Sequence, residues 1–131
     1  MDCLFCKIIK GEIPALKLYE NEYVLAFLDI NPDSDGHTLI IPKNHYKDID
    51  DIDEFTITEI FKAAKIIKKL LTDKLDCMGF SLVQNNGEVQ EIKHYHLHIK
   101  PYYKGKKNIE MIKHEDEIRK TEEIFQILKE D

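Results

Sequence analysis

The sequence predicts an α+β domain: an antiparallel five-stranded sheet with a central helix, a short N-terminal helix and a C-terminal helix. Two observations carry the prediction. Short runs of branched and aromatic residues come in pairs around brief turns, as Leu16–Glu20 and Tyr23–Asp29 do around Asn21-Glu22. One later segment changes period. Ile57, Ile60, Ala64, Ile67, Leu71 and Leu75 recur at spacings of three and four, which lays them along one face of a helix over residues 54–75. Strands paired through short turns, with helices set apart from them, favour α+β over an alternating parallel architecture. At 131 residues, without repeat, low-complexity run or linker, the chain reads as one domain, 1–131.

The elements follow in order. Residues 3–10 read as a short helix with Asp2 as N-cap and Gly11 as its stop, and Pro14 blocks any continuation. After the first strand pair, Asn31-Pro32-Asp33-Ser34-Asp35-Gly36 is a loop by composition. Gly36–Ile41, closed by Pro42, is the third strand. In the central helix Thr56-x-x-Glu59 offers a capping box, and Lys62, Lys65, Lys68 and Lys69 fill the solvated side. Phe80–Gln84 reads as the fourth strand, Asn85–Lys93 as a polar loop and His94–Pro101 as the fifth strand. Ile118, Thr121, Phe125 and Leu128 predict a last amphipathic helix.

Composition narrows the function. Nineteen Lys+Arg against 25 Asp+Glu give a net charge of −6, so no global basic field draws nucleic acid or an anionic membrane. A nucleotide ligand needs only a local site. No window approaches the ~18 consecutive apolar residues of a membrane span, and the start lacks the basic-then-apolar order of a signal peptide. The chain therefore reads as cytoplasmic, and three cysteines, an odd count, argue against a disulfide framework.

Chemistry concentrates in the histidines. Three of the six fall within five residues, His94-Tyr95-His96-Leu97-His98. On a strand alternate side chains share a face, which sets these imidazoles about 6–7 Å apart on one side with Tyr95, Leu97 and Ile99 on the other. Such a face is a solvated surface, a set of zinc ligands completed from elsewhere, or a nucleophile flanked by orienting groups. A neutral imidazole attacks well near pH 7 and departs readily from phosphorus, which suits a two-step nucleotidyl transfer. Cys3 and Cys6 form a C-x-x-C pair, open to redox chemistry, to a metal, or to neither.

These blocks resemble the histidine triad (HIT) family and its Hint branch. His94-Tyr95-His96-Leu97-His98-Ile99 is similar to the family's His-x-His-x-His motif. Cys3-x-Phe5-Cys6-Lys7-Ile8-Ile9-x-Gly11-Glu12-Ile13-Pro14 resembles the Hint opening. Ala26–Pro32, Gly36–Lys43 with His45, and Gln84-Asn85-Asn86-Gly87 follow in order. The resemblance implies a HIT-like fold and cleavage of purine nucleoside 5′-phosphoramidates, or related nucleotidyl bonds, through a covalent nucleotidyl-histidine. In that scheme His96 is the nucleophile and His98 bonds the phosphoryl oxygens. His37 fixes ring orientation and Asn85 meets the leaving group. Asp29 matches the carboxylate that accepts both ribose hydroxyls, and Phe5, Ile8, Ile13, Phe27 and Ile30 match the slot around the base. Cys3, Cys6, His45 and His94 match the ligands of a structural zinc, and the family is typically homodimeric. His114 stands apart near the last helix as a surface or capping residue.

Two departures are visible. The loop before the triad, Asn85–Glu91, is about two residues shorter than the family pattern, and Glu91 stands where relatives carry a hydroxyl residue. A carboxylate beside a phosphate is repulsive without a cation or proton, so Glu91 either turns outward or favours a cationic leaving group. Lys100 replaces an apolar residue. Three alternatives stand beside the phosphoramidase reading: a dinucleoside polyphosphate hydrolase of the related Fhit type, a purine-nucleotide-binding regulatory module with little turnover, and a zinc hydrolase using the histidines as ligands.

Overall fold

The computed structural model describes residues 3–106 and 112–130. Its core is an antiparallel sheet of five strands, β1 (Lys17–Glu20), β2 (Val24–Leu28), β3 (Thr38–Pro42), β4 (Gly79–Val83) and β5 (Leu97–Tyr102). The spatial order is β1-β2-β3-β5-β4. Helix α1 (Leu4–Ile9) lies on one face of the sheet, α2 (Glu54–Lys74) lies on the other, and α3 (Thr121–Lys129) ends the described chain. The predicted architecture holds, in order and in type.

β2 and β3 are buried on both faces, which is why they read as unbroken apolar runs and not as alternating ones. Val24, Ala26 and Ile40 point into a cluster with Ile60, Ala63, Ala64, Ile67 and Leu71 of α2. Leu25, Phe27, Leu39 and Ile41 point the other way, against Phe5 and Ile8 of α1. Ile57 is half-buried on the α2 side and Leu75 caps the helix at 36% exposure.

Several boundaries differ from expectation, each for a local reason. α1 is capped by Cys3, whose thiol accepts from Cys6 N at 3.3 Å; Asp2 lies outside the described residues. α2 begins one turn before the proposed capping box. Asp53 is its N-cap, accepting from Thr56 N at 3.1 Å, because a carboxylate already meets that donor and leaves Thr56 buried at the third position. β5 starts at Leu97, so His94 and His96 precede the ladder. The β3–β5 register, carried on from Ile40↔Leu97, sets Pro42 against Tyr95, and proline has no N–H to give. Ile118 lies before α3, and the helix buries nothing: Phe125, Ile127 and Leu128 are exposed.

The loop after β2 reverses at Gly36, whose φ of +87° suits glycine, and a Cβ there would stand 2.9 Å from Leu75 Cδ1 and 3.2 Å from Leu71 Cδ2. Gly87, at φ +72°, has open space instead. We expect Gly87→Ala to cost about 1 kcal/mol from the backbone alone and Gly36→Ala about 2–3 kcal/mol once crowding is added. Equal urea midpoint shifts for the two variants would show that the end of α2 does not press on this turn.

Candidate active site and metal cluster

Alternation along residues 94–99 divides the labour of one segment. Tyr95, Leu97 and Ile99 enter the α2 core, while His94, His96 and His98 face the α1 side, where Phe5 stands edge-on to His94 and His96 at 5.8 and 5.1 Å. The predicted shared face is present although only His98 of the three is a ladder residue.

Backbone groups fix the tautomers of His94, His96 and His37, and His37 fixes that of His98. His94 Nε2 lies 2.9 Å from Pro42 O, and a carbonyl can only accept, so the proton is on Nε2 and the Nδ1 lone pair is free. His96 Nδ1 donates to His94 O at 2.8 Å, which leaves Nε2 as its unprotonated nitrogen. Asp33 N donates to His37 Nδ1 at 3.0 Å. His37 must then carry its proton on Nε2 and donate it to His98 Nδ1 at 2.9 Å, so His98 in turn presents Nε2–H. One face thus offers an imidazole lone pair at His96 and an imidazole N–H at His98, with ring centroids 5.0 Å apart.

These assignments need neutral rings, and the surroundings supply them. Burial pushes His98 down to about 4, helped by the neighbouring His96 and His37, and burial likewise lowers His94 to about 4. Burial also lowers His96 and His37, against the pull of Asp29 on each. Asp29 Oδ2 stands 3.6 Å from His37 Nε2, and its Oδ1 accepts from Asn31 N at 2.9 Å. Asp29, His37 and His98 lie close enough to hold an ion. The His37 Nε2 proton already lies between the two ring nitrogens, so the two rings form a hydrogen-bond relay with Asp33 N, and Asp29 stands beside it as a charge and not as a member.

Behind the triad, Cys3, Cys6, His45 and His94 bring their donor atoms within 4.8 Å of one another. A tetrahedral ion bound at about 2.3 Å to sulfur and about 2.0–2.1 Å to nitrogen needs edges of about 3.3–3.8 Å. Cys3 Sγ–His94 Nδ1 is 3.4 Å, Cys6 Sγ–His94 Nδ1 is 3.6 Å, Cys6 Sγ–His45 Nδ1 is 3.3 Å and the two Nδ1 atoms are 3.1 Å apart. The donor set, its spacing and the lone pair of His94 fit a metal ion. Burial and the adjacent Cys3 push the Cys6 thiol up, so metal binding would displace a proton.

The other predicted residues divide. Phe5, Ile8 and Phe27 are core members of the α1 cluster and Ile13 packs on its edge, whereas Ile30 is 82% exposed and outside it. Asn85 is half-buried at the end of β4. Glu91 is exposed, yet its charge reaches His96. His114 is an exposed residue whose ring lies 3.9 Å from Glu117. Sequence reasoning missed the backbone partners at Pro42 and Asp33, which no side-chain motif encodes. It also missed the polar bonds of Asn86 and Gln90: Asn86 Oδ1 accepts from Ile49 N at 2.8 Å, and Gln90 Nε2 donates to Lys47 O at 2.6 Å.

Comparison with known proteins agrees with this geometry. The HIT domain family model matches residues 10–105. A HIT-like protein of Methanocaldococcus jannaschii is 50% identical over 105 residues, 79% of this chain and 81% of that one. An adenosine 5′-monophosphoramidase of Saccharomyces cerevisiae is 46% identical over 101 residues, 76% of this chain and 61% of that one. The crystal structure of a zinc-bound histidine triad family protein from Mycobacterium smegmatis superposes with a TM-score of 0.78 at 36% identity, covering 82% of this chain and 79% of that one. With the family model spanning most of its length and the histidines arrayed on one face, this chain belongs to the HIT family.

Proposed function

We propose that the protein is a nucleotide hydrolase that cleaves purine nucleoside 5′-phosphoramidates through a nucleotidyl-histidine at His96. One observation carries the reading: the His96 ring is buried, which lowers its pKa, and is held by His94 O so that Nε2 keeps its lone pair. The Nε2 lone pair attacks the α-phosphorus, the phosphorus–nitrogen bond breaks, and the amine leaves with a proton taken from solvent, which the water of the second step returns. Water then attacks phosphorus, breaks the bond to Nε2 and releases the nucleoside monophosphate. His98 Nε2–H, aligned through His37, donates to the phosphoryl oxygen as negative charge grows there. Asn85 meets the leaving group, Asp29 receives the ribose hydroxyls, and the base lies along Phe5, Ile8, Ile13, Phe27 and Ile30. The yeast relative, named for the same reaction on adenosine 5′-monophosphoramidate, supports this reading.

The same site in a Fhit-type enzyme would open dinucleoside polyphosphates, and relative rates on the two substrates separate these readings. We further propose that Cys3, Cys6, His45 and His94 hold a structural zinc, whose chemistry is to cross-link α1, the His45 loop and the triad segment. The protein is proposed to act as a homodimer, with β4 at the sheet edge and exposed Phe61 and Ile66 on α2 as the available surface.

Native mass spectrometry at neutral pH after mixing with an adenosine phosphoramidate is expected to show a transient adenylyl adduct, absent from His96→Ala. Turnover of that variant should fall on the order of 10³-fold or more. An adduct of equal size on His96→Ala would overturn the assignment. Elemental analysis is expected to give one zinc per chain, and chelation should lower the melting temperature. A zinc-free preparation of equal stability and activity would remove zinc from the account. Glu91→Ser is expected to reduce the preference for cationic over anionic leaving groups; an unchanged ratio of kcat/KM values would show that Glu91 faces away from the leaving group.

A further inference from the structure

The His45 loop and the loop that carries Asn85 and Glu91 are tied by two polar side chains. Asn86 Oδ1 accepts from Ile49 N at 2.8 Å and from Gln84 Nε2 at 2.7 Å, while its Nδ2 donates to Gln84 Oε1 at 3.0 Å. Gln84 Nε2 also donates to Asn85 O at 3.0 Å, so the residue proposed to meet the leaving group is held through the same network. Four residues on, Gln90 is 3% exposed and its Nε2 donates to Lys47 O at 2.6 Å. Its Oε1 finds no partner among the described residues, so the amide is oriented by this one bond. Lys47 and Ile49 lie two and four residues beyond His45. Both ends of the Asn85–Glu91 loop are therefore anchored to the segment that supplies a metal ligand.

We propose that Asn86 and Gln90 are positioning residues that couple the metal cluster to the nucleotide site. The inference rests on the metal and nucleotide readings above. With an ion at Cys3, Cys6, His45 and His94, the His45 loop is held at one more point, and through Lys47 O and Ile49 N it holds the two ends of the loop that carries Asn85 and Glu91. Without it, that support rests on the Tyr95 N to Tyr46 O bond at 2.7 Å and on the Asp51 carboxylate, which accepts from Lys47 N and Asp48 N, and is held less tightly. Linkage makes the effect reciprocal: whatever metal does to nucleotide affinity, nucleotide does to metal affinity by the same factor. A second route runs through the backbone from His94 to His96, and it leaves Asn86 and Gln90 out, so substitution there separates the two.

The test is zinc affinity by competition with a chromogenic chelator, with and without saturating AMP, on the full chain. AMP is expected to tighten zinc at least about fivefold in the wild type. Asn86→Ala should bring that factor close to one, while Asn86→Asp, which keeps an acceptor for Ile49 N–H, should retain it. If Asn86→Ala does not fold, Gln90→Met, which removes the donor and nearly preserves volume, takes its place. A factor unchanged in the variants would assign the coupling to the His94–His96 backbone and overturn the proposal. A wild-type factor of one would also overturn it. Phosphoramidate hydrolysis by the same preparation then tells whether the reading of the site has failed with it or stands alone.

Discussion

Much of this molecule hangs on His94. Its Nε2–H is taken by Pro42 O, its Nδ1 faces the two thiols and His45, and its carbonyl takes the Nδ1 proton of His96. One buried residue thus ties the end of β3, the candidate metal ligands and the His96 ring together. Pro42 is suited to its part. As the last residue of β3 it cannot donate to a neighbouring strand, and its carbonyl is left for a side chain. The ladder stops where the site begins.

The same period of two that makes a strand makes the site. Odd-numbered residues of the segment hold it against α2, and the even-numbered ones build a polar face which α1 then partly roofs with Phe5. Covering that face has a cost, because buried imidazoles resist charge, but here the cost serves the chemistry. Neutral rings are what a metal ligand and a phosphorus nucleophile both require. A solvated triad would sit closer to its ordinary titration range and spend part of its time protonated.

Most of the architecture was legible because it follows from periodicity. The spacing of Ile57 to Leu71 places α2, and the branched and aromatic runs around short turns place β2 and β3. Element ends were less legible, since they are decided by which side chain meets a single backbone donor: Asp53 accepts from Thr56 N and Cys3 from Cys6 N. In the site, the histidines and cysteines stood out by type and spacing. The groups that orient them did not, because the carbonyls of Pro42 and His94 and the amide of Asp33 belong to every residue alike and become specific only when the chain is folded. Ile30 shows the converse limit: it stands in solvent after β2, and its apolar character alone does not tell a ligand wall from an exposed turn.

The relay from Asp33 to His98 has a further implication. It starts in an amide of an exposed loop and ends at a ring nitrogen facing the site, and every donor in it points the same way. Asp33 is itself drawn toward β5, since its carboxylate lies 2.6 Å from Lys100 Nζ. The ion pair sits at the rim, but the loop geometry it favours decides on which nitrogen of His98 a hydrogen resides. Peeling that loop away would leave net charge and proton count unaltered while releasing the constraint that keeps a donor, and not an acceptor, at the site. The position of a single hydrogen is in this sense a coordinate of the backbone, and the loop acts as a latch that sorts two tautomers of the same ring.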